Sequence, residues 1–146
     1  MTSPLGADLL AIVARINRLA TQRSRLPLPY AQARLLSTIE DQGEARISDL
    51  AALDHCSQPT MTTQVRRLED AGLVSRTVDP EDGRAVLIRI TPKGVEMLRQ
   101  ARVDRGAAID PYLERLDAAD RQTLSEAVRV LRRLLEDAAA PSTTTK

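Results

Sequence analysis

The spacing of apolar residues changes in the middle of the chain, and this change restricts the folds open to it. From residue 57 to residue 71 apolar side chains recur every three or four positions, which predicts a helix with one buried stripe. In 74–78 and again in 86–90 the period becomes two, which predicts two strands. The turn-forming run Asp79–Arg84 separates these strands, so we expect a β-hairpin directly after the helix.

Two further helices are predicted at the start of the chain. The first helix begins near Leu5 and is ended by Pro27 and Pro29. Pro29 is expected in the first turn of the second helix, where its missing N–H costs no hydrogen bond. Gly43 is expected to end the second helix as its C-terminal cap. The apolar stripe of the first helix is Leu5, Leu9, Ile12, Ile16 and Leu19, and that of the second is Ala33, Leu36 and Ile39.

A short helix is predicted just before the helix of the 57–71 stripe. It runs from Ser48, a good N-cap, to about Asp54. Ser57 is expected to cap the next helix, which tolerates Pro59 in its first turn and ends at Gly72. The apolar set of the short helix is Leu50, Ala51 and Leu53, and that of the next is Met61, Val65 and Leu68.

Two long helices are predicted after the hairpin. Thr91 followed by Pro92 is a typical helix start, and Gly106 and Pro111 should bend or interrupt the helix that begins there. Asp117 is expected to cap the last helix. The apolar stripe of that last helix is Leu124, Val128, Leu131 and Leu135.

The scarcity of aromatic residues supports a helical fold. Only Tyr30 and Tyr112 are aromatic, so the core must consist of Leu, Ile, Val and Ala, which favours packed helices over a β-sandwich. We predict a mainly α fold with a small β-hairpin wing (α+β), which is a winged helix-turn-helix between helical arms. The predicted division is one domain over 1–146, with a winged lobe at 30–94, arms at 5–26 and 95–139, and a disordered tail at 141–146.

Composition narrows the function classes. No run of 18 apolar residues occurs, so no membrane span is expected, and 1–7 does not resemble a signal peptide. Cys56 is the only cysteine, which favours a reducing cytoplasm. One cysteine and one histidine, His55, give neither a metal site nor a nucleophile–base pair in suitable geometry. We therefore expect no enzyme activity, no metal and no cofactor.

The helix of residues 57–71 has an outer face suited to DNA. At 100° per residue, the side opposite its apolar stripe carries small hydroxyl groups and arginines, which suit base edges and phosphates. Ser57 and Gln58 at its start are placed to approach the DNA backbone. The outer residues are Pro59, Thr60, Thr62, Thr63, Arg66, Arg67 and Asp70. The alternative, that these are ordinary solvated residues of a surface helix, remains open from this segment alone.

The predicted hairpin places Arg84 near its tip. A guanidinium group there can enter the negative minor groove of DNA, and Asp82 is expected to orient Arg84 by ion pairing. The alternative is a surface turn with a weak salt bridge.

Two stretches of sequence resemble the MarR family of regulators. The run Ser57–Val74 looks like the recognition helix of that family, and Asp79–Arg84 with Ile88–Gly94 is similar to its wing and the start of the following helix. The motif Asp82-x-Arg84 is the most specific part. The resemblance extends over nearly the whole chain, because the flanking helices also fit in length and order.

The resemblance implies a homodimeric bacterial transcription regulator, usually a repressor, that binds a near-palindromic operator in double-stranded DNA. In the family the recognition helix enters the major groove and the wing arginine reaches the minor groove. The residues implied to contact DNA are Ser57, Gln58, Thr60, Thr62, Thr63, Arg66 and Arg84, with Asp82 in support. The family also commonly binds small aromatic or anionic ligands that release the DNA. Arg15, Arg18, Tyr30 and Tyr112 are candidates for such a site, although their spacing does not require one.

Dimerisation has separate support from the two terminal stripes, which exceed what a small winged lobe needs for its own core. An alternative function also stays open, that of a winged-helix protein-interaction module without DNA binding, because the net charge is only +1 and Asp70 lies on the outer helix face.

Cys56 precedes the recognition helix, where a lowered thiol pKa would allow redox sensing, but a packing role is favoured.

Overall fold

The computed structural model describes residues 4–25 and 27–140. The chain forms two compact units, Met1–Ala108 and Ile109–Lys146. The predicted tail at 141–146 lies outside the described residues. The helices are α1 (Pro4–Arg23), α2 (Tyr30–Gln42), α3 (Ile47–Leu53), α4 (Gln58–Asp70), α5 (Pro92–Leu113) and α6 (Ala118–Ala139), and the strands are β1 (Glu44–Arg46), β2 (Val74–Val78) and β3 (Val86–Ile90).

The three strands form one antiparallel sheet in the order β1-β3-β2. The predicted hairpin is confirmed, with Val74 opposite Ile90 and Val78 opposite Val86. The sequence did not predict β1, which adds a third strand with Ala45 opposite Ile88. Its three residues include no β-branched side chain, so β1 exists only because the central strand β3 offers it a partner.

The core of the first unit lies between α2, α3, α4, the sheet and the first half of α5. Its fully buried side chains are Leu36, Ile39, Leu50, Met61, Val65, Leu68 and Ile88. The predicted stripe of α4 is therefore confirmed, and so is that of α2. The prediction for Leu53 was wrong, since this side chain is 51% exposed at the end of α3, where the helix has turned away from the core.

Most helix ends lie where the sequence predicted them. Ser57 caps α4 by accepting the backbone N–H of Thr60 at 3.2 Å, and Asp117 caps α6 by accepting that of Asp120 at 2.7 Å. Gly43 and Gly72 follow α2 and α4 with φ of 73° and 75°, the left-handed conformation that glycine adopts without strain.

Three predicted helix features differ from the structure. Pro29 precedes α2 as its N-cap, with ψ of 143°, and does not lie in its first turn. Ser48 lies inside α3, whose N-cap is Arg46, because β1 leads directly into that helix. Gly106 and Pro111 do not interrupt α5, which is continuous to Leu113. Pro111 lies so close to the end that its missing N–H affects only the last turn.

The two terminal helices expose their apolar stripes. Ile12 and Ile16 of α1 are 52% and 48% exposed, and α6 has no buried residue at all within its range. No helix in the described ranges is long and apolar enough to cross a membrane.

The start of α5 packs tightly against the hairpin at Gly94. A Cβ atom built on Gly94 would lie 2.2 Å from the backbone oxygen of Leu73 and 2.7 Å from Cγ1 of Ile90. The Thr91 N–H donates to the same Leu73 oxygen at 3.0 Å, so the backbone there has little room to move. Only glycine allows this approach, which fixes the wing against α5.

We predict that Gly94→Ala lowers the free energy of unfolding by about 1–3 kcal/mol, because the new methyl group must displace backbone atoms. Gly106→Ala is the matched control, since a Cβ there meets nothing within 4 Å and alanine favours a helix by about 0.5–1 kcal/mol. Urea denaturation followed by circular dichroism measures both variants. Equal stability of the two variants would contradict the tight approach.

Candidate nucleic-acid interface

The helix α4 presents a polar face opposite its buried stripe. Thr63, Arg66 and Asp70 are exposed, as the helical geometry predicted, and Thr60 and Arg67 flank them at the surface. Thr62 is half-buried. Thr63 and Arg66, two of the residues that the sequence assigned to DNA contact, are therefore exposed on the side of α4 opposite its buried stripe.

The hydroxyl groups of this face are held by the helix itself. Thr62 Oγ1 donates to the carbonyl oxygen of Gln58 at 2.8 Å, and Thr63 Oγ1 donates to that of Pro59 at 3.1 Å. Ser57 Oγ donates to Thr60 Oγ1 at 2.8 Å. The first turn is thus ordered before any partner binds.

An ion pair that the sequence did not reveal joins α4 to the hairpin. Arg76 Nε of β2 donates to Glu69 Oε2 at 2.6 Å. This pair neutralises the carboxylate of Glu69 beside the outer face. Asp70 is then the acidic group of α4 without an ion-pair partner in the described part of the chain.

The wing loop is organised by Asp79, a buried carboxylate that is only 7% exposed. Its Oδ1 accepts the backbone N–H of Glu81 at 2.9 Å, and its Oδ2 accepts from Arg46 Nη2 at 2.6 Å. The Asp79 N–H donates to the oxygen of Ala85 at 2.9 Å, which closes the base of the loop. Arg46 of β1 thus fastens the loop to the sheet.

Both partners of this pair have altered acidity. Hydrogen bonding from the Glu81 N–H, reinforced by the Arg46 guanidinium, holds the pKa of Asp79 below its usual value. The Asp79 carboxylate raises the pKa of Arg46 in turn. Sequence reasoning missed the pair because its members are 33 residues apart and come together only through β1.

The predicted ion pair between Asp82 and Arg84 is not formed. Asp82 Oδ1 accepts the backbone N–H of Arg84 at 3.1 Å, and its Oδ2 lies 4.0 Å from Arg46 Nη1. The short turn places this carboxylate beside the backbone, away from the guanidinium group. The Arg84 side chain is exposed, with no ion pair or hydrogen bond among the residues that the structure describes.

Cys56 packs, partly buried, against the core, the role that the sequence favoured. His55 before it has a φ of 51° in the turn between α3 and α4. Within residues 4–25 and 27–140, no three histidine, cysteine or acidic side chains come together as a metal site.

A crevice of about 210 Å³ lies in the first unit, lined by Tyr30, Ala33, Leu98 and Ala101 together with Asn17, Arg34, Ser37, Arg102 and Arg105. A neighbouring opening is lined by Arg18 and Tyr30, two of the four residues suggested for a ligand. Arg15 lines neither, and Tyr112 contacts Arg115 in the second unit at 5.7 Å.

Comparison with known proteins identifies a family domain in part of the chain. Residues 28–86 match the model of the MarR family, a range that contains α2, α3, α4, β2 and the wing loop and ends at the first residue of β3. The chain carries a MarR-family domain. It is 29% identical over 134 residues to the HTH-type transcriptional regulator MT0903.1 of Mycobacterium tuberculosis, which covers 91% of this chain and 94% of that protein.

Solved structures agree on the fold. The transcriptional regulator Tm0710 of Thermotoga maritima is 26% identical, with a TM-score of 0.71 over 90% of this chain and 96% of that one. A cysteine-to-serine variant of MarR from E. coli complexed with operator DNA is 24% identical, with a TM-score of 0.59 over 94% of both chains. The predicted fold class is confirmed. The MarR-family domain, the fold and these relatives, which are named as regulators, identify a winged helix-turn-helix transcriptional regulator.

The depressed pKa of Asp79 predicts a pH dependence for the wing. Its contribution to stability is complete above the unfolded-state pKa of about 4 and is lost as pH falls through the lower folded-state pKa. We expect Asp79→Asn to lower the melting temperature at pH 7, and the gap between variant and wild type to shrink below about pH 4.

Thermal melting between pH 7 and pH 3 measures this gap. Asp70→Asn is the control, because Asp70 is an exposed carboxylate with no ion pair in the described ranges. A gap for Asp79→Asn that stays constant with pH would contradict a stabilising role of the ionised carboxylate.

Proposed function

We propose that the chain binds a near-palindromic operator as a homodimer, with α4 in the major groove and Arg84 in the minor groove of each half-site. The observation that carries this proposal is the distribution of unpaired arginines. Every residue from 30 to 108 is described, and the arginines there without an ion pair, hydrogen bond or ring contact are Arg66, Arg67 and Arg84. The arginines with such a partner are Arg34, Arg46, Arg76, Arg89, Arg99, Arg102 and Arg105.

This distribution matches what DNA binding requires. A paired guanidinium must give up its partner before it neutralises a phosphate, whereas an unpaired one in water does not. The three unpaired groups lie on α4 and the wing loop, which are the elements that enter DNA grooves in winged helix-turn-helix proteins. The solved complex of E. coli MarR with operator DNA is a precedent for this use of the fold.

Homodimerisation is supported by the exposed stripes of the terminal helices. Val128 and Leu135 of α6 are 49% and 66% exposed, and Ile12 of α1 is 52% exposed. Soluble monomers rarely leave such continuous apolar stripes in water. Two-fold symmetry would then place two copies of α4 about 34–36 Å apart, in successive major grooves.

The regulator is proposed to be a repressor that acts in the cytoplasm and is released by a small ligand. Support comes from the crevice, whose apolar lining suits an aromatic ring, and from Arg18 at the neighbouring opening, which has no partner among the described residues. A ligand that binds only the released conformation shifts the equilibrium away from DNA. Thermal unfolding with a panel of aromatic carboxylates, compared between wild type and Arg18→Ala, tests this site.

The second candidate is a protein-interaction module that retains the winged fold without binding DNA. Asp70 on the outer face and the net charge of +1 favour it. The three unpaired arginines weigh against it. Protein contacts alone do not explain why the unpaired guanidinium groups of the lobe all lie on α4 and the wing.

We predict that Arg84→Ala weakens operator binding by about tenfold or more and lowers the dependence of affinity on salt, because one phosphate or groove contact is lost per half-site. Fluorescence anisotropy with DNA from upstream of the chain's own gene, at several salt concentrations, measures both effects. Arg99→Ala is the control, since Arg99 is already paired with Glu96 at 2.7 Å on α5.

Two outcomes would change the interpretation. Binding unaffected by Arg84→Ala would remove the wing from the interface and leave α4 in place. Absence of salt-sensitive binding to any upstream DNA at low salt would favour the protein-interaction module.

We predict that Val128→Glu converts the dimer to monomer at micromolar concentration, because a carboxylate would be buried in the contact without a partner. Gln122→Glu is the control, since it adds the same charge to α6 about 150° away from the apolar stripe. Sedimentation velocity measures the assembly of both variants. A wild-type chain that sediments as a monomer would refute the homodimer.

A further inference from the structure

The side-chain hydrogen bonds of Thr62 and Thr63 restrict which bases the recognition helix can contact. Each has one hydroxyl proton, and each proton is already donated to a carbonyl of the first turn, at 2.8 Å to Gln58 and 3.1 Å to Pro59. Neither side chain therefore offers a hydrogen-bond donor to a base. What remains on each is a methyl group and an acceptor oxygen.

The same hydrogen bonds fix the direction of these side chains. A threonine whose Oγ1 is bonded to the carbonyl four residues earlier is held in one χ1 rotamer, so its Cγ2 methyl group is held as well. Thr63 is exposed on the outer face of α4, and Thr62 beside it is half-buried. The methyl group of Thr63 is thus a preordered apolar contact on the face that enters the groove.

The major-groove edges of the bases discriminate between such side chains. Thymine presents a C5-methyl group there, and its partner adenine presents the N6 amino group as a donor. Guanine presents two acceptors, N7 and O6, which require a donor on the protein. A methyl group with an acceptor oxygen therefore complements a T·A pair, whereas the donors that guanine needs are available on Arg66.

We propose that Thr63, supported by Thr62, reads thymine C5-methyl groups in each half-site, and that these two residues set a preference for T·A pairs at the centre of the α4 contact. This inference rests on the proposed DNA-binding function and specifies the bases that it selects. Ser57 and Thr60 differ from them, because their hydroxyl groups bond to each other at 2.8 Å at the start of the helix and serve its cap.

Replacement of thymine by deoxyuridine tests the proposal, because it removes the methyl group and leaves base pairing and the O4 acceptor unchanged. The operator is first defined with wild-type protein by footprinting of upstream DNA. Each thymine in both half-sites is then replaced in turn. We expect a loss of about fourfold per half-site at one thymine, or about 16-fold for the symmetric replacement, since one buried methyl group contributes about 0.8 kcal/mol.

Two variants of the protein assign this loss to Thr63. Thr63→Ser keeps the hydroxyl group and lacks the methyl group, so it should bind the thymine and deoxyuridine operators equally. Thr63→Val keeps the methyl contact without a hydroxyl group, so it should still prefer thymine by about the wild-type ratio. Circular dichroism melting confirms that both variants are folded at the assay temperature.

The outcomes separate this inference from the function on which it rests. Wild-type protein that binds the operator with the same affinity at every deoxyuridine position would overturn the thymine readout and leave operator binding intact. A thymine preference that Thr63→Ser retains in full would overturn the assignment to Thr63. Wild-type protein that binds no DNA would overturn the proposed function, and the readout with it.

Discussion

The orientation of α4 depends on the burial of one stripe of its side chains. Met61, Val65 and Leu68 have no exposed surface and belong to one buried cluster with side chains of α2, α3 and β2. Each such side chain contributes about 1.5–3 kcal/mol by leaving water, so rotation of the helix by one residue, about 100°, would cost several kcal/mol. The opposite face is thereby fixed without needing contacts of its own. Thr63 and Arg66 on that face do not contribute to the core.

Pairing of charges, more than their number, defines where the lobe is cationic. A net charge of +1 predicts little about DNA binding, because charges separated by more than about 8 Å are screened at physiological salt. The exposed ion pairs, such as Arg102 with Glu40 at 3.0 Å, contribute little to stability individually. Their effect is to occupy most guanidinium groups of the lobe. Among the described residues, the arginines of the lobe that keep no partner are then those on α4 and the wing.

The sequence predicted those features that depend on local chemistry. The stripe of α4, the caps Ser57 and Asp117, and the β-hairpin depend on residues close to one another in the chain, so spacing and cap preferences were sufficient. The outward residues of α4 followed from the same geometry. Their roles on DNA remain predictions.

Features that depend on distant partners were not predictable. The strand β1 has no strand-forming sequence and exists through pairing with β3 more than 40 residues away, where Glu44 lies opposite Arg89. The anchoring of the wing by Arg46 and Asp79 depends in turn on that strand. The predicted pair of Asp82 with Arg84 was wrong because proximity in sequence says nothing about which way two side chains point across a tight turn.

The proposed function explains two features together. They are the exposed apolar stripes of α1 and α6 and the small number of unpaired arginines. Among the described residues, the unpaired arginines of the lobe are Arg66, Arg67 and Arg84, which offer few phosphate contacts. Each contact contributes a modest, salt-dependent part of the affinity. Joining two lobes makes the second contact intramolecular and raises the overall affinity by orders of magnitude without any new contact. Apolar surface buried between arms is insensitive to salt, so it supports the contacts that salt weakens. Under the proposed function, a lobe with so few unpaired arginines depends on its arms for affinity. A ligand that changes the separation of the two lobes would then remove the largest contribution to DNA binding.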